Sequence, residues 1–239
     1  MAKAIAIVGD SGSGKSTSMA QMPELGVIGL DPKETFIINI KGKDLPFRGW
    51  KKKYIPIADG APPTVGNYLS SHDPDLIVKV IQFVGTQRPD IKNLVVDDGQ
   101  YVMGQEFMDT ANKTGYEKFT KMAKHMFDVI NAGISMPDGK NFFLLTHSDE
   151  DNGVLKMKTI GKLLDEKIVL AGLFTYVLFT VIKNTPKGVE YKFATNRTQD
   201  DRYVQVPAKS PIGVFEDILI PNDLGYVLER IAEYDSAED

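Results

Sequence analysis

The sequence predicts an α/β fold, with a mainly parallel sheet flanked by helices and antiparallel strands at one edge. Apolar stretches of strand length alternate with stretches of helical periodicity as far as residue 147, the order expected of parallel strands joined by crossover helices. The first apolar stretch, 3–8, runs directly into a glycine-rich loop, as a buried strand leading to a ligand-binding turn does. Two later strand candidates flank the short connection 184–188, which predicts an antiparallel hairpin.

The predicted strands are short runs of β-branched, aromatic and other apolar residues bounded by turn residues. In chain order they are 3–8, 35–40, 93–98, 141–147, 176–183 and 189–194. Prolines and glycines between the second and third strands predict an irregular excursion with one edge strand. We expect strand 93–98 to lie beside strand 3–8, and a polar loop to cover 148–162.

The predicted helices follow from apolar residues at helical spacing between start and stop signals. They cover 15–21, 75–86, 101–113, 116–132 and 224–234. Asp223 is a favourable N-cap for the last helix, and the tail 235–239 is expected to fray. Because 239 residues fit one hydrophobic core, we predict a single domain over residues 1–239.

The composition narrows the class of protein. Hydrophobic residues make up 42% of the chain and charged residues 25%, enough for an apolar core and a hydrated surface. The absence of cysteine excludes disulfides and thiolate metal sites. Neither a signal peptide nor an apolar run near the ~20 residues that span a bilayer is evident, so we expect a cytoplasmic protein outside the membrane. A net charge of -4 argues against a uniformly basic surface for duplex DNA, although it allows a local basic groove.

A phosphate-binding pattern, GxxxxGK(S/T), follows the first strand. It is formed by Gly9, Asp10, Ser11, Gly12, Ser13, Gly14, Lys15 and Ser16, with Thr17 directly after it. The glycines allow backbone N–H groups to converge on phosphate oxygens, and a following helix would add its positive dipole end. We predict that Lys15 reaches the β and γ phosphates of ATP and that Ser16 binds Mg²⁺, with Thr17 in support. The alternative, a glycine-rich turn without a ligand, leaves the lysine and the serine unexplained.

Two acids end the strand 93–98. Asp97 is predicted to be the acid on the metal side of the site, because phosphate-loop proteins hold a carboxylate there. Asp98 is a candidate for orienting the attacking water, although its side chain is shorter than that of the glutamate more often used. The alternative is that Asp98 caps the helix that follows it.

A histidine, His147, ends strand 141–147 and is predicted to sense the γ-phosphate; the alternative is a strand-end histidine exposed to water. The polar loop after it carries Lys156, Lys158 and Lys162, which either bind a ligand or are merely solvated. Trp50, beside several lysines, either stacks on single-stranded nucleic acid or anchors its own loop.

Together these residues resemble the short RecA-like ATPases encoded by tailed bacteriophages, phage nucleotide-binding proteins related to single-strand-annealing recombination ATPases. Besides the phosphate loop, the resemblance is carried by the segments 30–39, 45–47, 95–98, 158–162, 208–211 and 220–224. It implies a RecA-like core, Mg²⁺-dependent ATP hydrolysis, and a role with single-stranded DNA in recombination, annealing or replication. One departure concerns the water-activating residue: such enzymes usually carry a glutamate where this chain has Asn39, Ile40 and Lys41.

The resemblance also implies a homo-oligomer in the cytoplasm of a bacterial host, in which a cation from one copy completes the ATP site of the next. Lys209 is the leading candidate, because Pro211 would stiffen its loop, and Arg197 is the second; the alternative for both is a surface ion pair. Two other functions stay open. One is a small-molecule or nucleotide kinase, although no arginine-rich lid is evident, and the other is an ATP-binding protein with vestigial hydrolysis.

Overall fold

The computed structural model describes residues 1–60, 62–112, 114–161, 163–186, 188–200 and 204–238. Its strands are β1 (Lys3–Gly9), β2 (Thr35–Asn39), β3 (Tyr68–Ser70), β4 (Asn93–Asp97), β5 (Asn141–Asp151), β6 (Val154–Met157), β7 (Tyr176–Thr185), β8 (Gly188–Ala194), β9 (Thr198–Gln199), β10 (Gln205–Val206) and β11 (Leu219–Pro221). Its α-helices are α1 (Trp50–Lys53), α2 (Pro74–Gln87), α3 (Gln100–Asp109), α4 (Glu117–Ile134) and α5 (Leu224–Glu238). Short 3-10 segments cover Thr17–Met19, Pro23–Leu25 and Leu170–Leu173, and a π-helical segment covers Leu163–Ile168.

The described strands form a sheet with the spatial order β11-β8-β7-β1-β5-β4-β2-β3. The strands from β7 to β3 pair in parallel, whereas β8 and β11 add antiparallel pairs at one edge. The small strands β6, β9 and β10 branch off beside the extended end of β5. The structure thus confirms the predicted α/β fold with a mainly parallel sheet and antiparallel strands at one edge.

The prediction that the strand ending in Asp97 lies beside β1 is wrong, because β5 lies between β1 and β4. Phe143 of β5 aligns with Ile5 on one side and with Val95 on the other. Residues 142–144 of β5 are paired on both edges and buried on both faces, and they form a continuous apolar run. Consequently His147, which aligns with Gly9, lies between the phosphate loop and the acids that follow β4.

Helices cover both faces of the sheet, as the alternation of strands and helices predicted. In β1, Ala4 and Ala6 face the core that α2, α3 and α4 cover, while Ile5 and Ile7 face the core that α5 covers. α2 starts as predicted, because Asp73 Oδ1 accepts hydrogen bonds from the N–H groups of Asp75 and Leu76.

The predicted helix over 15–21 is wrong, since only the three-residue 3-10 segment Thr17–Met19 forms. The chain leaves this segment at Ala20 with extended torsion angles, φ -74 and ψ 134. The carbonyl of Met19 then accepts a hydrogen bond from Leu30 N, and Pro23 begins a separate turn. A three-residue segment aligns few peptide dipoles, so the loop gains little from a helix dipole.

The predicted polar loop 148–162 is also wrong over its first half. β5 continues to Asp151 and forms a hairpin with β6, in which Asp151 pairs with Val154. Asn152 and Gly153 make the connecting turn with positive φ angles of 51 and 75, a geometry that an Asn-Gly pair favours. This dipeptide is a sequence signal for a hairpin that the prediction of a polar loop overlooked.

The last helix begins at the predicted cap but continues to Glu238, so its predicted end at Tyr234 is wrong, while the fraying expected of 235–239 stays a prediction. Tyr234 packs against the core, and Lys3 on β1 lies 2.5 Å from Asp235. These contacts hold the final turns of α5 against the sheet. In the described part of the chain, no helix combines the length and the apolar character that crossing a bilayer requires.

Candidate functional site

The predicted phosphate-binding loop leaves the carboxyl end of β1 and is held by β7. A Cβ atom at Gly9 would stand 1.7 Å from Thr180 Oγ1, so no side chain fits there. Thr180 Oγ1 in turn donates a hydrogen bond of 2.8 Å to Ser13 Oγ. Gly14 has φ 91, and its missing side chain leaves space for Asn222 and Tyr191, which lie 3.0 and 3.2 Å from the place of its Cβ. Both glycines are therefore required by close approach rather than by flexibility alone.

Lys15 is buried under this loop. Its Nζ donates hydrogen bonds of 2.8 Å to the carbonyl oxygens of Gly9 and Asp10. Burial lowers the pKa of Lys15, while the nearby carboxylates of Asp98 and Asp97 act in the opposite direction. An ammonium has three donors, so one N–H remains for an anion above the loop.

Ser16 and Asp97 form a hydrogen bond of 2.8 Å between Oγ and Oδ1. The Asp97 side chain is buried, and this burial, followed by the charge of Asp98, raises its pKa to about 6. A hydroxyl and a carboxylate are the oxygen donors that Mg²⁺ prefers when phosphates and waters complete its octahedron. Among the described residues there is no cluster of three or more His, Asp or Glu residues that would form a metal cage of protein ligands alone. The donor set fits a magnesium ion that a nucleotide brings with it.

Asp98 stands at the centre of a group of ionisable side chains. It adopts φ 61, a left-handed conformation unfavourable for a residue with a side chain and typical of functional sites. Its side chain is only 3% exposed, with Oδ2 2.5 Å from Lys43 Nζ and Oδ1 3.5 Å from His147 Nε2. The alternative that Asp98 caps the next helix is wrong, because Gly99 occupies the cap position of α3 and no described side chain caps it.

His147 faces this group, so the alternative of a water-exposed histidine at the end of a strand is wrong. Its side chain is 18% exposed, and its ring makes an edge contact with Tyr101 at a centroid distance of 5.9 Å. Burial, followed by the charge of Lys15, lowers the pKa of His147, so the imidazole is neutral at neutral pH. Gln100 Oε1 fixes the strand here by accepting a hydrogen bond of 3.2 Å from His147 N.

A cleft of about 920 Å³ opens over these residues and has one end on each side of β1. The strand order places β5, β4 and the turn after β2 on one side of β1, and β7, β8 and β11 on the other. The first end is charged and is lined by Lys15, Ser16, Lys43, Asp98 and His147. The second end combines apolar and charged side chains and is lined by Met22, Leu25, Val27, Val189, Glu190, Tyr191, Lys192, Pro221 and Asn222. Asp223 closes the second end, because its carboxylate accepts hydrogen bonds from the N–H groups of Ile28 and Gly29.

Several of these residues were missed by the sequence analysis. Lys43 lies in a polar loop without a motif, and nothing local distinguishes it from the neighbouring lysines. Tyr191 and Asn222 are separated from Gly14 by more than 170 positions, and only the sheet order brings them to it. Lys43 and Tyr191 carry no signal in the sequence, and Asn222 lies in the segment 220–224 without a motif of its own.

Lys209 and Arg197 were predicted to act at ATP, but neither is among the described residues that line this cleft. Lys209 pairs through its backbone with Val177 of β7, and burial lowers the pKa of its side chain. Arg197 is exposed and donates a hydrogen bond of 3.0 Å to Gln205 Oε1. A direct role for either at ATP therefore requires the cleft of another copy.

Three lysines were predicted to contact DNA, and one of them, Lys162, lies outside the described residues. Lys156 lies on β6 with its Nζ 3.3 Å from Asp151, and Lys158 is exposed just beyond β6. Trp50 is half-buried and packs on Tyr68 at a ring distance of 5.3 Å, a contact that agrees with the alternative in which it anchors its own loop.

No protein-family model and no curated protein matches the sequence. Among solved structures, the chain is similar to a KaiC-like protein from the hyperthermophilic archaeon Pyrococcus horikoshii, at 14% identity over 80% of this chain and 77% of that chain, with a TM-score of 0.44. It is similar also to the genome packaging NTPase of Sulfolobus turreted icosahedral virus 2 in complex with AMPPCP, at 14% identity over 78% and 77%, with a TM-score of 0.43. At such identities and TM-scores neither similarity assigns a role to any residue of this chain.

Proposed function

We propose that this chain binds ATP with Mg²⁺ and hydrolyses its terminal phosphoanhydride bond. The observation that carries the proposal is the contact between Ser16 and Asp97 beside buried Lys15, at the mouth of a phosphate-binding loop. A hydroxyl, a carboxylate and an ammonium converge there from two separate segments of the chain. Such a set neutralises and orients a triphosphate, which is most of what phosphoryl transfer requires from a protein.

Each residue then has a distinct task. Ser16 and Asp97 would hold a magnesium ion, which would supply positive charge to the phosphate oxygens. Lys15 donates its third N–H to the same oxygens. Asp98 accepts a proton from the attacking water as the new oxygen–phosphorus bond forms and the bond to the bridging oxygen breaks, which releases ADP and phosphate. Neutral His147 beside Asp98 faces the terminal phosphate and distinguishes ATP from ADP.

The position of Lys15 and Ser16 at one end of the cleft sets the direction of the nucleotide. The triphosphate lies over the loop towards Asp98 and His147, and the base extends towards β8 and β11. There Tyr191, which is 44% exposed, offers a ring for stacking against a purine. Met22, Leu25 and Val27 provide an opposing apolar wall.

The role with DNA, the oligomeric state and the cellular location are proposed from the family resemblance. We propose that the chain forms one RecA-like domain, acts with single-stranded DNA in recombination, annealing or replication, and works as a homo-oligomer in the cytoplasm of a phage-infected bacterium. Lys156, Lys158 and Lys162 are the proposed phosphate contacts for DNA. Lys209, with Arg197 second, is the proposed cation supplied to a neighbouring ATP.

Replacing Lys15 by Ala tests the proposed activity. We expect at least a hundredfold loss of ATP turnover and weaker ATP binding, because the ammonium on the phosphates is removed. Turnover is measured as phosphate release with Mg²⁺, and binding by calorimetry. Lys33→Ala, which removes an exposed lysine outside the cleft, is the matched control.

Two outcomes would contradict the proposal. Near-normal turnover in Lys15→Ala would exclude the phosphate loop as the site of hydrolysis. Phosphate transfer to added nucleoside monophosphates or sugars, in place of release into water, would identify a kinase. Adding single-stranded DNA to the same assay tests the proposed role with DNA, which requires that DNA stimulates turnover.

A further inference from the structure

The turn after β2 is built to present one lysine to the cleft. Asn39, buried at the end of β2, accepts a hydrogen bond of 2.9 Å from Gly42 N and donates one of 2.7 Å to Lys43 O. Gly42 has φ 64, and a Cβ there would stand 2.4 Å from Ser70 Oγ. The backbone of Lys43 is therefore held by a buried amide, and the turn before it packs closely on β3 at Gly42.

The Lys43 side chain points into the charged end of the cleft. Its Nζ lies 2.5 Å from Asp98 Oδ2, while more than half of the side chain stays exposed. Burial alone would lower the pKa of Lys43, but the hydrogen bond and the charge of Asp98 raise it overall. Lys43 is thus a charged, partly exposed ammonium at the rim of the cleft that Lys15 also lines.

Asp98 cannot hold Lys43 and receive an attacking water through the same oxygen. Oδ2 of Asp98 is occupied by Lys43 Nζ at 2.5 Å, so this oxygen cannot at the same time contact an attacking water. A triphosphate entering the charged end of the cleft would offer Lys43 a partner with several negative charges. An exposed ammonium on a long flexible stem exchanges partners at little energetic cost.

We propose that Lys43 is the cation that faces the terminal phosphate from within the same chain, and that nucleotide binding moves its ammonium from Asp98 to the γ-phosphate oxygens. The inference rests on the proposed ATP hydrolysis and adds a residue to it. Lys43 then stabilises the charge that develops as the bond to the bridging oxygen breaks, and Asp98 is left free to accept the proton of the attacking water. Asn39, at the place where a glutamate was expected, acts as the positioning residue of Lys43.

The test compares Lys43→Ala and the charge-free but similarly long Lys43→Gln with Lys41→Ala. Lys41 belongs to the same turn and is exposed, but it does not line the cleft. Affinities are measured for ADP, for a non-hydrolysable ATP analogue, and for ADP with aluminium fluoride, all with Mg²⁺. Turnover is measured in parallel, and melting temperatures confirm folding.

Both Lys43 variants should bind ADP within about twofold of wild type, because Lys43 faces only the terminal phosphate. Binding of the ATP analogue should fall about tenfold, and turnover and binding of ADP with aluminium fluoride should fall about a hundredfold or more, the usual range for one donor to a transition state. Lys41→Ala should resemble wild type. An Asn39→Ala variant should lower turnover in the same direction, with ADP binding retained.

Equal weakening of ADP and ATP binding would overturn the inference, as would unchanged turnover in Lys43→Gln or an equal loss in Lys41→Ala. These results differ from a failure of the proposed function. If wild type itself neither binds nor hydrolyses ATP, the proposed function and the inference both fall. If wild type is active and Lys43→Gln is equally active, the inference falls alone.

Discussion

At the scale of single residues, burial decides the chemistry of Asp97. Its side chain is enclosed below the cleft, so its charged form is disfavoured and the pKa rises to about 6. Asp98 adds repulsion, and the hydrogen bond from Ser16 only partly offsets both effects. Because the charged form of Asp97 is disfavoured, a divalent cation bound beside it would stabilise that form strongly.

The first prediction at this scale concerns stability against pH without Mg²⁺. In the unfolded chain Asp97 releases its proton near pH 3.8, and in the folded chain near pH 6. Between these values the folded state holds a proton that the unfolded state has lost, so stability falls as pH rises through this window, by up to about 3 kcal/mol. Asp97→Asn should lack this decrease.

The measurement is the difference in unfolding free energy between wild type and Asp97→Asn, taken in EDTA at pH 4 to 7. Asp149→Asn removes an exposed carboxylate on β5 and serves as the control. A difference between wild type and Asp97→Asn that stays constant over this range would refute the assigned pKa.

At the scale of elements, the junction of β1 and β7 holds the phosphate loop in place. β7 pairs with β1 through Phe179 and Val8, which sets Thr180 against Gly9 and Ser13. The loop therefore depends less on the helix after it, which is only a three-residue 3-10 segment, than on the strand beside it.

The prediction at this scale is that Gly9→Ala destabilises the fold by roughly 1 to 3 kcal/mol, the usual range for overpacking, and weakens ATP binding. The new methyl group would stand 1.7 Å from Thr180 Oγ1, so β7 or the loop must move. Thr180→Ala removes that oxygen, and the double variant should recover part of the lost stability. Thermal unfolding measures this coupling, and strict additivity of the two changes would exclude the proposed contact.

At the scale of the whole molecule, Lys209 and Arg197 lie outside the cleft of their own chain. If Lys209 acts at ATP, it must do so in a neighbouring copy, where a cation of this kind accelerates phosphoryl transfer by roughly 10³ to 10⁵. Mixing Lys15→Ala with Lys209→Ala should then restore part of the turnover that each lacks, since one contributes an intact Lys209 and the other an intact ATP site.

Phosphate release from the mixture, with size measurements that establish mixed oligomers, provides the test. No regained turnover in oligomers that do form would count against Lys209. A strictly monomeric wild-type protein with normal turnover would exclude a shared site and leave Lys43 as the proposed additional cation.

Local features of the sequence determined much of this protein. The phosphate loop, the buried strands, the caps at Asp73 and Asp223 and the hairpin at one edge all follow from neighbouring residues, because strand and helix periodicities and turn preferences act over a few positions. The roles expected of Lys15, Ser16 and Asp97 come from the same motifs, and the contact between Ser16 and Asp97 agrees with them.

Tertiary structure alone decided the rest. The insertion of β5 between β1 and β4, the contact of Lys43 with Asp98 and the approach of Tyr191 to Gly14 each join residues far apart in the chain. Equally apolar strands can be ordered in several ways, and a surface lysine carries no local mark of its partner. The choice depends on how all the strands and helices pack together, which no short stretch of sequence encodes.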